Sequence, residues 1–354
     1  MLYSELTIEN FRGIEKLEIK DIKRFNLLVG RNNCGKTSVL EALFLLSGMS
    51  NPQLVTNIHL FRGLILTQDD DFSYMFRNLD FEIPIKLSSN KDINSRSLTI
   101  APLIKDYPSY GKGEILEKEI TKNTKSVTVS TSAIQVVEGL TFEFRTDKRQ
   151  AFKNQISFKK GEGKLSIQYK EKFRCTFLNQ STIMSQTAKQ MEGLLVQKKL
   201  DSVINVLRGI EPLISDIRMG AGDMIYIDIG KDKLFPINIM GDGIRRILAF
   251  IAVIADMKNG VLLIDEIDNG FHYTSLITLW RAIFKACKEY NVQLFATTHS
   301  YECIGAYASV YTETNPGEDD LRLIRIDRKG DQHKAYSSSA EVLKAGIEKE
   351  FEVR

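Results

Sequence analysis

The fold is decided by the stretch FNLLVGRNNCGKTSVLEALFLLSG, which spans residues 25–48. It opens with a mostly apolar segment that is typical of a strand buried on both faces, and it closes with apolar residues at helical spacing before Gly48. Between them lies a full match to the phosphate-binding pattern G-x-x-x-x-G-K-[ST], in the strand–loop–helix context that this pattern requires. The stretch therefore predicts a loop that binds the phosphates of a nucleoside triphosphate.

Each residue type in this loop has a chemical reason. Glycines allow backbone N–H groups to turn toward phosphates, Lys36 can reach the terminal phosphates, and the hydroxyl of Thr37 can ligate Mg²⁺. The structural alternative is a glycine turn that merely caps a helix, and the complete motif argues against it. The residues predicted to bind nucleotide here are Gly30, Asn32, Asn33, Cys34, Gly35, Lys36, Thr37 and Ser38.

Two acidic residues follow a second apolar segment, in VLLIDEID (261–268). Phosphoryl transfer needs a carboxylate that holds Mg²⁺ and a group that orients or deprotonates the attacking water. We predict that Asp265 has the first role and that the catalytic residue Glu266 has the second. Asp268 lies farther from the strand end, and we interpret it as structural or interfacial.

A third strand end is predicted in VQLFATTHS (292–300), where His299 follows an apolar segment. Ligands of parallel sheets bind outside the carboxyl ends of the strands, so His299 should lie near the phosphate loop and the acidic pair. We predict a catalytic contact with the γ-phosphate. A lone histidine is more often structural, and its place at a strand end is what favours the functional interpretation.

Composition and periodicity indicate one α/β domain over residues 1–354, with 43% hydrophobic residues and ample length for a core. The predicted architecture is a mixed or parallel sheet around the phosphate loop, an antiparallel β subdomain and a helical lobe. The predicted segments are 1–50 for the first strands, phosphate loop and first helix, 51–180 for the mainly antiparallel subdomain, 181–258 for the helical lobe, and 259–354 for the acidic pair, His299 and the C-terminal strands and helix.

Bulk properties exclude several classes of protein. The net charge of +3 is too small to argue for nucleic acid over other partners. The four cysteines, which are Cys34, Cys175, Cys287 and Cys303, show no CxxC spacing, so neither a zinc site nor a disulfide framework is predicted. No apolar run approaches the roughly 18 residues of a membrane span. We therefore expect a soluble cytoplasmic protein with no membrane partner.

Several segments together resemble a known family, the ABC-type ATPase heads of the SMC/RecF/OLD branch. Within that branch the chain is most similar to compact stand-alone ATPases of bacterial phage-defence operons, including the ATPase partner of AbiL-type abortive infection. The resemblance is specific in about the first 50 residues and in 236–302. The segments that carry it are LTIENFRGIEKLEI (6–19), GRNNCGKTSVLEAL (30–43), MGDGIRRI (240–247), LLIDEIDNGFH (262–272) and ATTHS (296–300).

The resemblance implies that two heads sandwich two ATP molecules, each bound by the phosphate loop of one subunit and the signature loop of the other. Gly241, Asp242 and Gly243 occupy the signature position, at a helix N-terminus that would face the γ-phosphate. Gly241 stands where the family has a serine, and Asp242 replaces the first glycine, which weakens the inference of brisk hydrolysis. Arg245 or Arg246 would supply the missing positive charge, or both are ordinary surface residues.

Three further roles are implied by the same resemblance. Arg12 matches a position that approaches the nucleotide, and residues 269–272 match a loop that crosses the dimer interface. Gln180 is the candidate for a glutamine that senses Mg²⁺ or water, with Gln186 and Gln190 as nearby alternatives.

The implied function is an ATP-hydrolysing switch whose cofactors are ATP and Mg²⁺. The chain would form an ATP-dependent homodimer and regulate a separately encoded effector, such as a nuclease, in anti-phage defence. The part after His299 lacks the acidic pattern of a Toprim nuclease, so cleavage would need another polypeptide. Two alternatives stay open, namely a RecF-like repair ATPase that binds DNA or RNA and a nucleotide-binding scaffold with slow turnover.

Overall fold

The computed structural model describes residues 2–65, 69–89, 95–108, 133–146, 150–158, 163–164, 169–179, 182, 187–209 and 211–349. The strands are β1 (Leu6–Phe11), β2 (Ile14–Ile19), β3 (Phe25–Val29), β4 (Ile85–Ser89), β5 (Arg96–Pro108), β6 (Ala133–Thr146), β7 (Gln150–Ser157), β8 (Gly163–Lys164), β9 (Cys175–Leu178), β10 (Asp216–Met219), β11 (Ile225–Asp228), β12 (Phe235–Pro236), β13 (Val261–Ile264), β14 (Gln293–Thr297), β15 (Leu321–Lys329) and β16 (Gln332–Ser338). The helices are α1 (Lys36–Ser47), α2 (Leu54–Leu60), α3 (Thr187–Val196), α4 (Leu200–Arg208), α5 (Asp242–Asp256), α6 (Leu276–Glu289), α7 (Tyr301–Thr314) and α8 (Ala340–Glu348).

The central sheet has the order β16-β15-β3-β14-β13-β9 in the described part of the chain. Its strands from β15 to β9 are parallel, and β16 pairs antiparallel with β15 at one edge. Every residue of β3 and of β14 is buried, as expected for inner strands of a sheet that is covered on both faces. The predicted α/β class with a mixed, mainly parallel core sheet is confirmed.

A second, antiparallel sheet has the order β2-β1-β4-β5-β6-β7-β8. Strand β6 shows why it forms, because Leu140, Phe142 and Phe144 are buried while Glu143 and Arg145 are exposed. The buried side chains belong to the same hydrophobic core as those of α1. This sheet therefore covers the face of the central sheet on which the phosphate-loop helix lies.

Two elements differ from the sequence prediction. Strand β9 was expected in the antiparallel region, and it instead pairs parallel with β13 at the edge of the central sheet. The region predicted as a helical lobe also contains a small antiparallel sheet, β10-β11-β12. Short apolar runs carry no information about their pairing partner, so periodicity alone does not distinguish these arrangements.

The central sheet separates two hydrophobic cores. Neighbouring residues of one strand face opposite cores, with Leu27 and Leu262 on the side of α5 and α6, and Leu28 and Leu263 on the side of α1. Helix α5 is buried continuously from Ile247 to Ala255, so its N-terminal turn is its accessible end. None of the helices in the described ranges has the length and apolar content needed to cross a bilayer.

Candidate functional site

The phosphate loop begins where β3 ends, and its backbone requires glycine at position 30. Gly30 has φ +139°, and a Cβ at this position would lie 2.4 Å from the carbonyl oxygen of Ile326 and 2.8 Å from Sγ of Cys34. Asn33 and Gly35 also have positive φ, of 60° and 99°. The loop therefore packs against β15 with no space for a side chain at its first residue.

We expect the Gly30→Ala variant to lose about 2 kcal/mol more unfolding free energy than Gly63→Ala, because the added methyl group collides with backbone. Gly63 is a matched control, since its φ is also positive, +71°, and no heavy atom lies within 4 Å of a Cβ built there. Urea unfolding of both variants and of the wild type measures the difference. Equal losses would contradict the packing described for Gly30.

Lys36 lies folded over the loop. Its Nζ donates to the carbonyl oxygens of Gly30 at 2.9 Å and Arg31 at 3.0 Å. Burial lowers the pKa of this ammonium, and nearby acidic groups, including Asp265, oppose the change in part. The third contact of Nζ is with Sγ of Cys34 at 3.9 Å. Because no carboxylate of the described residues accepts from this ammonium, it can exchange these bonds for phosphate oxygens without breaking an ion pair.

Asp265 joins the phosphate loop to the strand end of β13. Thr37 Oγ1 donates to its Oδ2 at 3.0 Å, and Thr297 Oγ1 donates to its Oδ1 at 2.7 Å. Hydroxyl and carboxylate oxygens are the donors that Mg²⁺ prefers, and Mg²⁺ commonly takes one or two carboxylates together with substrate phosphates. Two of the three predicted metal ligands, Thr37 and Asp265, are thus in direct contact and fit Mg²⁺. The described residues contain no group of three or more His, Cys, Asp or Glu that could hold a metal.

Glu266 sits in a left-handed backbone conformation, with φ +54°. This conformation is uncommon for a residue with a side chain and persists where its surroundings hold it. Here the backbone N–H of Glu266 donates to Thr297 Oγ1 at 2.8 Å, and Asn269 Nδ2 donates to its Oε2 at 3.2 Å. Thr297 therefore bridges both acidic residues. Sequence reasoning missed this role, although Thr297 stands two residues before His299.

His299 follows β14 and lines the same cavity. Desolvation and then the positive charge of Lys36 lower the pKa of its imidazole, which favours the neutral form of the ring. Asp268 accepts a hydrogen bond from Thr298 Oγ1 at 2.6 Å. That contact agrees with a structural role for Asp268.

A cavity of about 610 Å³ brings most of the predicted site together. Gly30 and Cys34 do not line it, and Cys34 is buried. Sequence reasoning did not assign a role to five further lining residues, of which only the first two lie in a quoted segment: Gly13, Ile14, Arg62, Arg328 and His333. The predicted residues that line the cavity are Arg12, Asn32, Asn33, Gly35, Lys36, Thr37, Ser38, Asp265, Glu266 and His299.

The signature residues lie outside this cavity. Gly241 caps α5, and it and Asp242 are exposed. Arg245 forms an ion pair of 2.9 Å with Asp242, and the guanidinium of Arg246 packs on Gly270, where a Cβ would lie 2.7 Å from its Cζ. Arg245 therefore contacts the signature turn, and Arg246 packs against the loop after the acidic pair. Neither arginine lines the cavity of its own chain.

The two remaining sequence candidates have different outcomes. Arg12 reaches the cavity, but its Nε donates to Glu41 at 2.6 Å and its Nη1 to the carbonyl oxygen of Tyr74 at 3.1 Å. Gln180 and its alternative Gln186 lie outside the described residues. Gln190 lies on α3 and does not line the cavity.

Comparison with known families decides the assignment. A family model described as "AAA ATPase domain" matches residues 1–190, which is more than half of the 354 residues. The chain belongs to the AAA ATPase domain family. A second model, described as "AAA domain, putative AbiEii toxin, Type IV TA system", matches residues 148–304 of this ATPase.

Similarity to individual proteins is either low in identity over most of the chain or limited to part of it. The ATPase is 21% identical over 342 residues to an "ATP/GTP phosphatase" of Helicobacter pylori, covering 88% of this chain and 89% of that protein. It is 37% identical over 97 residues to the DNA replication and repair protein RecF of Vibrio parahaemolyticus, which is 26% of this chain and 25% of RecF. The SMC head domain from Thermotoga maritima aligns over 96% of this chain and 99% of that one, with a TM-score of 0.49 and 11% identity.

Proposed function

We propose that this ATPase binds ATP with Mg²⁺ in the cavity and hydrolyses it in a dimer that closes when ATP is bound. One observation carries the proposal. The cavity gathers Lys36, Thr37, Asp265 and Glu266, whereas the glycine-rich start of α5 is exposed outside it. An exposed helix N-terminus suits a phosphate of a second copy, because its free N–H groups and dipole favour negative charge.

Each side chain has a defined task in this proposal. Lys36 donates to the terminal phosphates, and Thr37 and Asp265 would hold Mg²⁺, which when bound neutralises phosphate charge. Glu266 orients a water and accepts its proton, and Asn269 keeps that carboxylate in place. The neutral ring of His299 donates to the γ-phosphate.

The surface around the signature supports contact with a second copy. Gly243 packs close to Phe271, so the start of α5 and the loop after the acidic pair form one surface. Ile239 and Tyr273, which flank these two segments, are 66% and 65% exposed. These two large apolar side chains would lose contact with water if a second copy covered this surface.

We expect Gly241→Glu to abolish ATP-dependent dimerisation and to lower phosphate release at least roughly tenfold, because a carboxylate would meet the phosphates of the partner. Folding should be unaffected, since no heavy atom lies within 4 Å of a Cβ built on Gly241. Gly193→Glu in α3 is the matched control, because it adds the same charge in equally open space. Size-exclusion chromatography with light scattering, with and without ATP and Mg²⁺, measures the dimer.

Three possible results of this experiment support or contradict the composite site. ATP binding by Gly241→Glu, with loss of the dimer, supports the composite site. The proposal is contradicted if the wild type has the same oligomeric state with and without ATP. It is also contradicted if Gly241→Glu dimerises like Gly193→Glu.

We further propose that the dimer regulates a separately encoded effector, such as a nuclease, in anti-phage defence. The support is the match of residues 148–304 to the family model whose description includes "putative AbiEii toxin, Type IV TA system". The test is phage plating on cells that carry the gene with its neighbours, comparing wild type with Lys36→Ala. Equal plating on both strains would contradict a role that depends on nucleotide.

A RecF-like DNA-binding ATPase is a second candidate, favoured by the similarity to RecF over 97 residues. It requires ATP-dependent, salt-sensitive DNA binding by the purified chain without any partner. A scaffold with slow turnover is a third candidate, supported by Asp242 in the signature and its ion pair with Arg245. Turnover of the purified chain separates this scaffold from the switch.

A further inference from the structure

A buried carboxylate lies between two arginines at the edge of the cavity. Glu41, on α1, is fully buried. It accepts from Nε of Arg12 at 2.6 Å and from Nε and Nη2 of Arg62 at 2.6 and 3.1 Å. Both arginines line the cavity, so two positive charges and one negative charge face the phosphate loop as a net charge of +1.

The two arginines differ in what they have left to donate. All three nitrogens of the Arg12 guanidinium are engaged, by Glu41 and by the carbonyl oxygen of Tyr74. Arg62 uses only Nε and Nη2, and its Nη1 makes no hydrogen bond within the described residues. The Arg62 side chain is 36% exposed and that of Arg12 10%. Each guanidinium thus makes three hydrogen bonds with its five N–H groups, and Arg62 is the one with a whole nitrogen, Nη1, unused in the described part of the chain.

The guanidinium of Arg62 lies beside the first turn of α1 and lines the cavity. Its Nη2 donates to Oγ of Ser38 at 3.4 Å, and Ser38 directly follows Thr37 in the first turn of α1. Thr37 in turn contacts Asp265, at the predicted Mg²⁺ position. A guanidinium held here lies beside the segment of the loop that binds phosphates in this motif.

We propose that Arg62 donates a hydrogen bond to the phosphate chain of the bound nucleotide, and that Glu41 is the positioning residue that aims it. Arg12, whose three nitrogens all make hydrogen bonds to protein oxygens, anchors Glu41. This inference rests on the proposed binding of ATP in the cavity. It assigns the charged contact with the phosphate chain to Arg62, which lies in no sequence motif.

The test compares Kd values for ATP with Mg²⁺ among the wild type, Arg62→Ala, Arg62→Lys and Arg12→Ala. We expect Arg62→Ala to bind at least roughly tenfold more weakly, which corresponds to about 1.4 kcal/mol. Arg62→Lys should bind with intermediate affinity, because it keeps the charge and loses the planar fork. Arg12→Ala, which removes the anchor of Glu41, should lose less affinity than Arg62→Ala, while its melting temperature without nucleotide falls.

Arg174→Ala is the matched control, because Arg174 also pairs with a carboxylate, that of Asp256, and does not line the cavity. Melting curves without nucleotide show whether each variant is folded. If Arg62→Ala is not folded, the Kd of Arg62→Lys for ATP tests the inference. The inference is overturned when folded Arg62 variants bind ATP like Arg174→Ala, or when Arg12→Ala alone loses affinity. Absence of ATP binding by the wild type would instead defeat the proposed function itself.

Discussion

Glu266→Gln should lower phosphate release at least roughly a hundredfold while it leaves ATP binding intact, because glutamine has nearly the same shape but cannot take a proton from water. The amide oxygen can still accept from Asn269, which bonds to the carboxylate at 3.2 Å in the wild type. ATP would then persist between the two heads. An ATP-dependent dimer should therefore accumulate in this variant.

Phosphate release and size-exclusion chromatography, each with and without ATP and Mg²⁺, measure both parts of this prediction. Glu289→Gln is the control, since Glu289 is an exposed glutamate at the end of α6 and does not line the cavity. If Glu266→Gln hydrolyses ATP at the wild-type rate, Glu266 does not act in the chemical step. A Glu266→Gln variant that stays monomeric at high concentration with ATP would count against the composite site.

Glu41→Ala should reduce the free energy of unfolding by about 3–5 kcal/mol, because it leaves two guanidinium groups without their buried counter-charge. Arg12 is the more severe case, since its side chain is only 10% exposed and has little access to water. Glu41→Gln should cost less, because its amide oxygen can still accept from both arginines, whereas the charge and the bonds to the other oxygen are lost.

Urea unfolding without nucleotide measures this loss. Glu143→Ala is the control, because Glu143 pairs with Lys153 on the exposed face of β6, and such a pair contributes under about 1 kcal/mol. A Glu41→Ala variant as stable as Glu143→Ala would mean that the arginines find other partners or water. The electrostatic interpretation of the cluster would then be wrong.

Local motifs carried much of the prediction of the fold. The stretch 25–48 forms a buried strand, a loop with positive φ values and a helix that ends before Gly48, as predicted. The strands before Asp265 and His299 also form, and both lie in the parallel sheet next to β3 or beside its neighbour. These elements are readable because their signals lie within a few residues of one another.

Pairing over long sequence distances was not readable. Strand β9 joins β13 across more than eighty residues, and the short strands β10 to β12 interrupt a region with helical periodicity. The same limit applied to the site, since Thr297 contacts Asp265 from another strand.

The sequence by itself determined the phosphate loop, the acidic pair and the α/β class, because each depends on the order of neighbouring residues and on the geometry of a single turn. Only the tertiary structure decided which charges meet. Glu41 stands in the sequence as one polar residue of an apolar helix, and Arg62 as one residue of a turn after α2. Whether such charges are solvated or buried against each other depends on what packs around them, and that is a property of the assembled fold.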